Sequence, residues 1–164
     1  MWGDKVITFH GSYIEVNKPD VYHSRESVDF GKGFYITPVK EQAQKWAARF
    51  KRNKGIGIVS TYEFNLEEVT DAGFKVLQFE GYTEEWLDFI TSCRRLEDAS
   101  KFDVVIGGVA NDKVFNTIEL YFDGLIEKSE AIKRLRYEKP NLQICIRNQK
   151  IIDKYLTYVE SEEV

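Results

Sequence analysis

Asp29-Phe30-Gly31-Lys32-Gly33-Phe34-Tyr35-Ile36-Thr37, followed at once by Pro38 and a helix-patterned stretch reaching about Phe50, is the segment around which the chain is organised. Two glycines flank a lysine just before an aromatic, β-prone triplet, so the backbone is free to turn sharply or to approach a ligand closely before entering a strand. A ligand is expected there. The strand is read as ending at Thr37, whose hydroxyl is placed to cap the next helix. Pro38 suits the first helical position, because its missing N–H would be unpaired there in any case. The order is loop, strand, cap, helix.

On the N-terminal side, residues 6–10 are short, β-branched and apolar and run into His10-Gly11-Ser12, which predicts a strand that delivers a histidine to a turn. Residues 13–28 mix Pro19, Asp20, His23, Ser24 and Arg25 with little periodicity and read as a surface loop. On the C-terminal side, Ala43, Trp46, Ala47 and Phe50 recur at helical spacing and share one face, with Lys40, Gln44, Lys45 and Arg49 largely outside it. Asn53-Lys54-Gly55 closes that helix.

Residues 56–64 alternate as a second strand and 75–79 form a third. Thr83 is the N-cap of a helix with Glu84 and Glu85 in its first turn, and Trp86, Phe89, Ile90 and Cys93 make its buried face. Residues 103–108 are an apolar run closed by two glycines, which fits an interior strand. A helix over about 113–122 is capped by Asn111 or Asp112, and another starts at Ser129 and ends at Pro140. Residues 142–146 are a strand. Asn148 caps a short helix reaching Leu156, residues 157–159 extend a strand, and the acidic tail 160–164 reads as frayed. Strands and helices cluster unevenly, which favours an α+β fold over a doubly wound parallel sheet.

The chain's 164 residues read as one domain, 1–164, long enough to bury a core without metal or disulfide support. No apolar run approaches the roughly 18 residues of a membrane span, and Met1-Trp2-Gly3-Asp4-Lys5 lacks the layout of a signal peptide, so the cytoplasm is expected. Cys93 and Cys145 sit in apolar-patterned segments and are expected as buried, reduced thiols. A net charge of −4 gives no global attraction for polyanions. Lys51, Arg52 and Lys54, like Lys133, Arg134 and Arg136, are most simply solvated helix ends, with a nucleic-acid acceptor as the alternative use.

Two histidines and two cysteines without paired spacing do not make a standard zinc or iron site, so no metal is expected, with a carboxylate-only magnesium site as the alternative. Gly31-Lys32-Gly33 lacks the loop length and the following Ser or Thr of a phosphate-binding P-loop. A Cys145 and His10 thiol-protease pair is disfavoured, because a cysteine inside a strand is usually an inert core residue. What remains is a set of ligand-type groups at strand ends: His10-Gly11-Ser12, Gly33-Phe34-Tyr35, Trp46 and Gln143.

In their order, His10-Gly11-Ser12, Gly31-Lys32-Gly33-Phe34-Tyr35 and Gln143-Ile144-Cys145-Ile146 resemble the three motifs of the ADP-ribosyltransferases of the diphtheria-toxin and poly(ADP-ribose) polymerase branch. A wider resemblance is to a small prokaryotic family of unknown function grouped with these transferases. It adds Asp29-Phe30, Gln42-Ala43 with Trp46-Ala47, Glu85-Trp86-Leu87-Asp88-Phe89 and Val105-Ile106-Gly107 through Ala110-Asn111-Asp112. The resemblance implies a split two-sheet core that binds NAD as co-substrate, with His10, Tyr35 and Gln143 as the catalytic set. By the same resemblance His10 and Ser12 fix a ribose, Gly11 holds the nicotinamide amide, Tyr35 and Trp46 sandwich the nicotinamide ring, and Gly33 and Phe34 belong to the binding strand. Arg25 is read as a solvated loop arginine, with a contact to the pyrophosphate as the alternative. Asn111 and Asp112 are read as a helix cap, with a pocket or acceptor-side loop as the alternative.

The polymerases carry a glutamate where this chain has Gln143. A glutamine hydrogen-bonds a ribose hydroxyl but supplies neither a carboxylate base nor a negative charge to a developing oxocarbenium ion. Polymer elongation is therefore not expected. The expected activity is a single transfer of ADP-ribose to a macromolecule, protein or nucleic acid, with release of nicotinamide. The alternatives are a silent module that binds NAD or ADP-ribose, and an NAD glycohydrolase. The resemblance also implies a toxin or effector with an antitoxin or inhibitor partner, a role of which the residues themselves carry no sign.

Overall fold

A computed structural model describes residues 5–23, 29–98, 101–110, 112–136 and 141–164. These residues form a mixed α+β fold in the order β1 (Val6–Ser12), β2 (Phe34–Ile36), α1 (Lys40–Lys54), β3 (Ile58–Phe64), α2 (Leu66–Asp71), β4 (Val76–Gln78), α3 (Glu84–Arg94), β5 (Val104–Gly108), α4 (Asp112–Phe122), α5 (Lys128–Leu135), β6 (Leu142–Ile146), α6 (Gln149–Tyr155) and β7 (Leu156–Glu163). The strands make two sheets, β1-β3-β7 and β2-β6-β5-β4. All neighbours are antiparallel except β4 and β5. One bridge joins the sheets: Phe9 N–H donates to the Thr37 carbonyl at 2.8 Å and Thr37 N–H to the Phe9 carbonyl at 2.9 Å.

The period-two alternation of the second sheet sorts its side chains into two cores. Phe34, Ile36, Val104, Ile106, Ile144 and Ile146 face Tyr62 and Phe64 of the first sheet. Val105, Cys145 and Tyr35 face the other way, against Phe30 and the Trp86, Leu87 and Ile90 stripe of α3. Each fully buried side chain of that stripe contributes on the order of 1.5–3 kcal/mol by leaving water. The run 104–108 is buried at every residue, as an interior strand requires. Both cysteines are buried free thiols.

Two predicted caps are made. Thr83 Oγ1 accepts from Trp86 N–H at 3.2 Å, and Asn148 Oδ1 from Lys150 N–H at 3.0 Å. The third is not. Helix α1 starts at Lys40 with Val39 at its N-cap position and no side-chain cap. Thr37 Oγ1 instead accepts from Val39 N–H at 3.1 Å and donates to the Leu142 carbonyl at 2.7 Å, so it anchors the entry of α1 to β6.

Three further expectations are corrected. Strand β1 does not end at His10 but runs on to Ser12, because Gly11 pairs with Val59 and is packed under α1 rather than turning. The acidic tail is not frayed: β3 has a second open edge, and residues up to Glu163 pair with it, supported by Ser60 with Ser161 at 2.9 Å and Lys40 with Glu162 at 2.9 Å. Helix α2 was not expected, although Asn65 Oδ1 caps it by accepting from Glu68 N–H at 3.0 Å. Its sequence signal is the Asn65 and Glu68 spacing of a capping box.

Candidate functional site

Past the Phe9 and Thr37 bridge, an antiparallel ladder would next pair Gly11 with Tyr35. It does not. The His10 side chain, tilted against Phe34 at 4.6 Å between ring centres, puts Nδ1 2.7 Å from the Tyr35 carbonyl oxygen and takes the place of the Gly11 N–H. The sheets therefore part here. Gly11 shares the parity of Phe9, whose N–H and C=O point away from β3 toward Thr37, so the Gly11 peptide groups face that same open edge. Outside the β1 and β3 ladder no described residue pairs with them.

The carbonyl partner requires a proton on His10 Nδ1 in the neutral ring, which leaves Nε2 as an acceptor. Burial pushes the His10 pKa down from its ordinary value, and the bond to the Tyr35 carbonyl opposes this only in part. Nε2 has no partner among the described residues.

Gly11 is fixed by packing: a Cβ there would lie 2.4 Å from the Ala43 carbonyl oxygen. Gly33 is constrained in the same way, with a virtual Cβ 2.5 Å from Cys145 Sγ and 2.7 Å from the Ile146 carbonyl oxygen. Its close approach is to β6. Gly31 supplies the turn, at φ 77°.

Tyr35 is half-buried. Its hydroxyl donates to the Gly31 carbonyl and accepts from Phe30 N–H at 3.1 Å, so the phenol both holds the turn and has a fixed ring orientation. Burial, with the Cys145 thiol beside it, pushes its pKa well above the usual phenol value. Burial likewise pushes Cys145 up to about 12, which makes it a core thiol rather than a nucleophile.

Gln143 is 8 % exposed and lies opposite Gly107 on β5, two positions from Cys145, the partner of Tyr35. It thus shares a sheet face with Tyr35. Its Nε2 donates to Asp29 Oδ2 at 3.3 Å and to the Gly108 carbonyl at 3.4 Å. Asp29 Oδ2 also accepts from Ala110 N–H at 3.3 Å, and Oδ1 pairs with Arg94 Nη2 at 3.0 Å. Arg94 reaches on to Glu119 at 3.1 Å and lies over the Phe115 ring. Asp29 and Arg94 are only 16 % and 15 % exposed at their side chains. Desolvation offsets most of the Coulombic gain of such a pair, so its main effect here is to fix positions.

Not every candidate joins this arrangement. Phe34 lies in the inter-sheet core, edge-on to Tyr62, on the face opposite Tyr35. Ser12 is buried at the end of β1, opposite Ile58. Trp46, expected on the buried face of α1, is 41 % exposed with the Arg49 guanidinium 5.2 Å from its ring, and no aromatic contact links it to Tyr35 among the described residues. Ala43 and Ala47 are the side chains that bury that face, because close approach to β1 admits only small ones. Arg25 and Asn111 lie outside the described residues, and Asp112 is the first residue of α4. Asp29, Arg94 and Glu119 went unread as site residues. Sixty-five positions separate the first two, and a charged pair at that distance has no local pattern; the motif beginning at Asp29 was the one signal available.

Clefts open elsewhere among the described residues. One, of about 260 Å³, lies under the Gly31 turn with Lys32, Cys93, Leu96, Asp98 and Arg147. Another, of about 580 Å³, is remote from the motifs and is lined by residues such as Asn17, Tyr22, Gln149 and Tyr158. Among the described residues no group of acidic, His and Cys side chains is placed to hold a metal ion, and no helix is long and apolar enough to cross a membrane.

A family model described as "Protein of unknown function (DUF3990)" matches residues 6–158. The chain belongs to the DUF3990 family. The DUF3990 match takes in His10, the whole Asp29 to Thr37 segment and Gln143, so every part of the site lies inside the family region. No curated protein and no solved structure matches the chain.

Proposed function

We propose that this DUF3990 chain is an NAD-dependent mono-ADP-ribosyltransferase with an ADP-ribosyltransferase-like split core. The observation that carries the reading is the substitution of the His10 imidazole for the Gly11 N–H at the Tyr35 carbonyl, 2.7 Å away, which opens a backbone edge beside His10 and Tyr35. The open edge offers one N–H and one C=O, the complement of a carboxamide such as that of nicotinamide. His10 Nε2 and Gln143 Oε1 are acceptors without partners among the described residues, and ribose hydroxyls are donors. These donor and acceptor types are the ones the amide and ribose groups of a dinucleotide call for, and they support the reading.

NAD supplies the ADP-ribosyl group, its bond to nicotinamide breaking as an acceptor nucleophile takes C1′. The chain's part is to hold and orient. Gly11 grips the amide, the fixed Tyr35 ring offers a flat apolar surface to the pyridine, and His10 and Gln143 hold ribose hydroxyls. Orientation of this kind, with water kept from a stacked pocket, carries a single transfer without a carboxylate base. Trp46, exposed on α1 beside Gly11, is the second aromatic available to the ligand.

Labelled NAD incubated with the protein and a cell lysate tests the reading. Nicotinamide release with label on a macromolecule is expected, falling about a hundredfold in Tyr35→Ala. Absence of both products, or a Tyr35→Ala variant equal to wild type, contradicts it. A second reading, a module that binds NAD without turnover, is favoured by the amide in place of a carboxylate at position 143. Saturable NAD binding in calorimetry with no nicotinamide released would select it.

A further inference from the structure

Glutamine side chains have two chemically different ends, and neighbours decide which way they point. Among the described residues, the groups within reach of the Gln143 nitrogen, Asp29 Oδ2 at 3.3 Å and the Gly108 carbonyl at 3.4 Å, are pure acceptors. With the amide reversed, Oε1 would face a carboxylate and a carbonyl with no proton between them. One orientation is therefore allowed. It leaves Oε1 directed away from both and without a hydrogen-bond donor among the described residues.

Asp29 is itself held in place. Arg94 neutralises Oδ1 at 3.0 Å, Ala110 N–H binds Oδ2 at 3.3 Å, and Glu119 at 3.1 Å keeps Arg94 from turning elsewhere. The carboxylate is thus fixed as an acceptor beside position 143.

We infer that Asp29 is a positioning residue that locks the Gln143 amide with its oxygen toward the ligand, so that this position accepts a hydroxyl proton and is closed to a carboxylate. The ligand half rests on the NAD reading above: the group received is a ribose hydroxyl. The lock itself is a property of the unliganded protein. It has a consequence that runs against the family analogy, because Gln143→Glu does not restore a polymerase-like site. It sets a second carboxylate about 3 Å from Asp29, where two like charges cannot both ionise in a half-dry site.

Thermal unfolding of the full chain tests the lock without any ligand. The groups facing the introduced carboxylate are Asp29 from the loop before β2, Arg94 of α3 and Glu119 of α4 behind it, and Tyr35 and Cys145 on the same sheet face. Arg94 is already shared between two carboxylates, so repulsion dominates and the new group's pKa is raised in the folded state. A raised acid pKa removes stability as pH rises. Gln143→Glu is expected to melt about 10 °C below wild type at pH 7.5 and much closer to it at pH 5. Adding Asp29→Asn removes one of the two facing carboxylates, at the cost of the Ala110 and Arg94 contacts, and this double variant is expected to be more stable at pH 7.5 than the sum of the singles. A Gln143→Glu protein as stable as wild type at pH 7.5, or a double variant no better than the sum of the singles, overturns the inference.

Calorimetry with NAD tests the ligand half. Gln143→Leu, which removes the oxygen and leaves no carboxylate, is expected to weaken NAD binding about tenfold. Unchanged affinity overturns the assignment of Oε1 to the ligand. If wild type binds no NAD, the function proposed above falls together with that assignment, and the thermal cycle still decides the role of Asp29.

Discussion

The imidazole of His10 lies 2.7 Å from the main-chain oxygen of Tyr35 and so ends the hydrogen-bonded contact between the two sheets one step after Phe9 and Thr37. A neutral ring with its proton on Nδ1 is required, and burial holds the His10 pKa below its ordinary value. The folded state therefore resists protonation more than the unfolded chain does. Stability from this group is complete above pH 6.5, the unfolded value, and is lost as pH falls through the folded pKa. His10→Asn keeps a donor near the Nδ1 position but does not titrate. Between pH 7.5 and 5 the melting temperature of wild type is expected to fall further than that of His10→Asn. Parallel curves would contradict a neutral His10.

Gly11→Ala and Gly33→Ala are expected to be destabilised by about 1–3 kcal/mol each in urea titrations. The first methyl would meet the Ala43 carbonyl oxygen at 2.4 Å and the second Cys145 Sγ at 2.5 Å. Because the obstacles are backbone and core atoms, they have little room to yield. Gly81→Ala, with open space around it, is the control. Equal stability of all three variants would contradict the packing described.

Tyr35→Phe retains the ring and removes the hydroxyl that binds the Gly31 carbonyl and Phe30 N–H. About 1–3 kcal/mol of stability should be lost, the usual cost of leaving part-buried backbone groups without partners. Proteolysis or amide exchange would show the loss centred on residues 30–33. An unaltered exchange pattern there would mean that the phenol does not hold the turn.

Local chemistry was legible where one residue and its near neighbours decide the outcome. Thr83 and Asn148 cap as read, the run 104–108 is interior, and Thr83 sets the phase that buries Trp86 and Ile90. Failures came where a partner distant in sequence decides. Glu160 to Glu163 look solvated until β3 presents an unpaired edge, and Thr37 is a cap by local rules until the Leu142 carbonyl claims its hydroxyl. Trp46 fits the helical period, yet Gly11 draws α1 so close that Ala43 and Ala47 fill the interface and the indole is left outside. The motifs marked His10, Tyr35 and Gln143. They did not reveal that Asp29 and Arg94 stand behind Gln143.

Removal of the last five residues tests the tail. Four register pairs, from Ile58 with Glu163 to Thr61 with Glu160, would be lost along with the Val164 N–H bond to the Gly57 carbonyl. Cross-strand pairs of this kind contribute about 0.2–1 kcal/mol each, so a loss on the order of 1–3 kcal/mol is expected. Hydrogen exchange at residues 58–61 should quicken while that of β5 follows global stability alone. No change in melting temperature would return the tail to a frayed end.

The most direct measurement is a titration of isotope-labelled protein with NAD, followed by backbone and side-chain amide shifts. Saturable changes are expected at Gly11, Gly33, Tyr35 and the Gln143 side chain, with small changes at residues lining the remote cleft, such as Asn17 and Tyr158. Shifts confined to that remote cleft, or none at millimolar NAD, would contradict a dinucleotide site where His10 parts the two sheets.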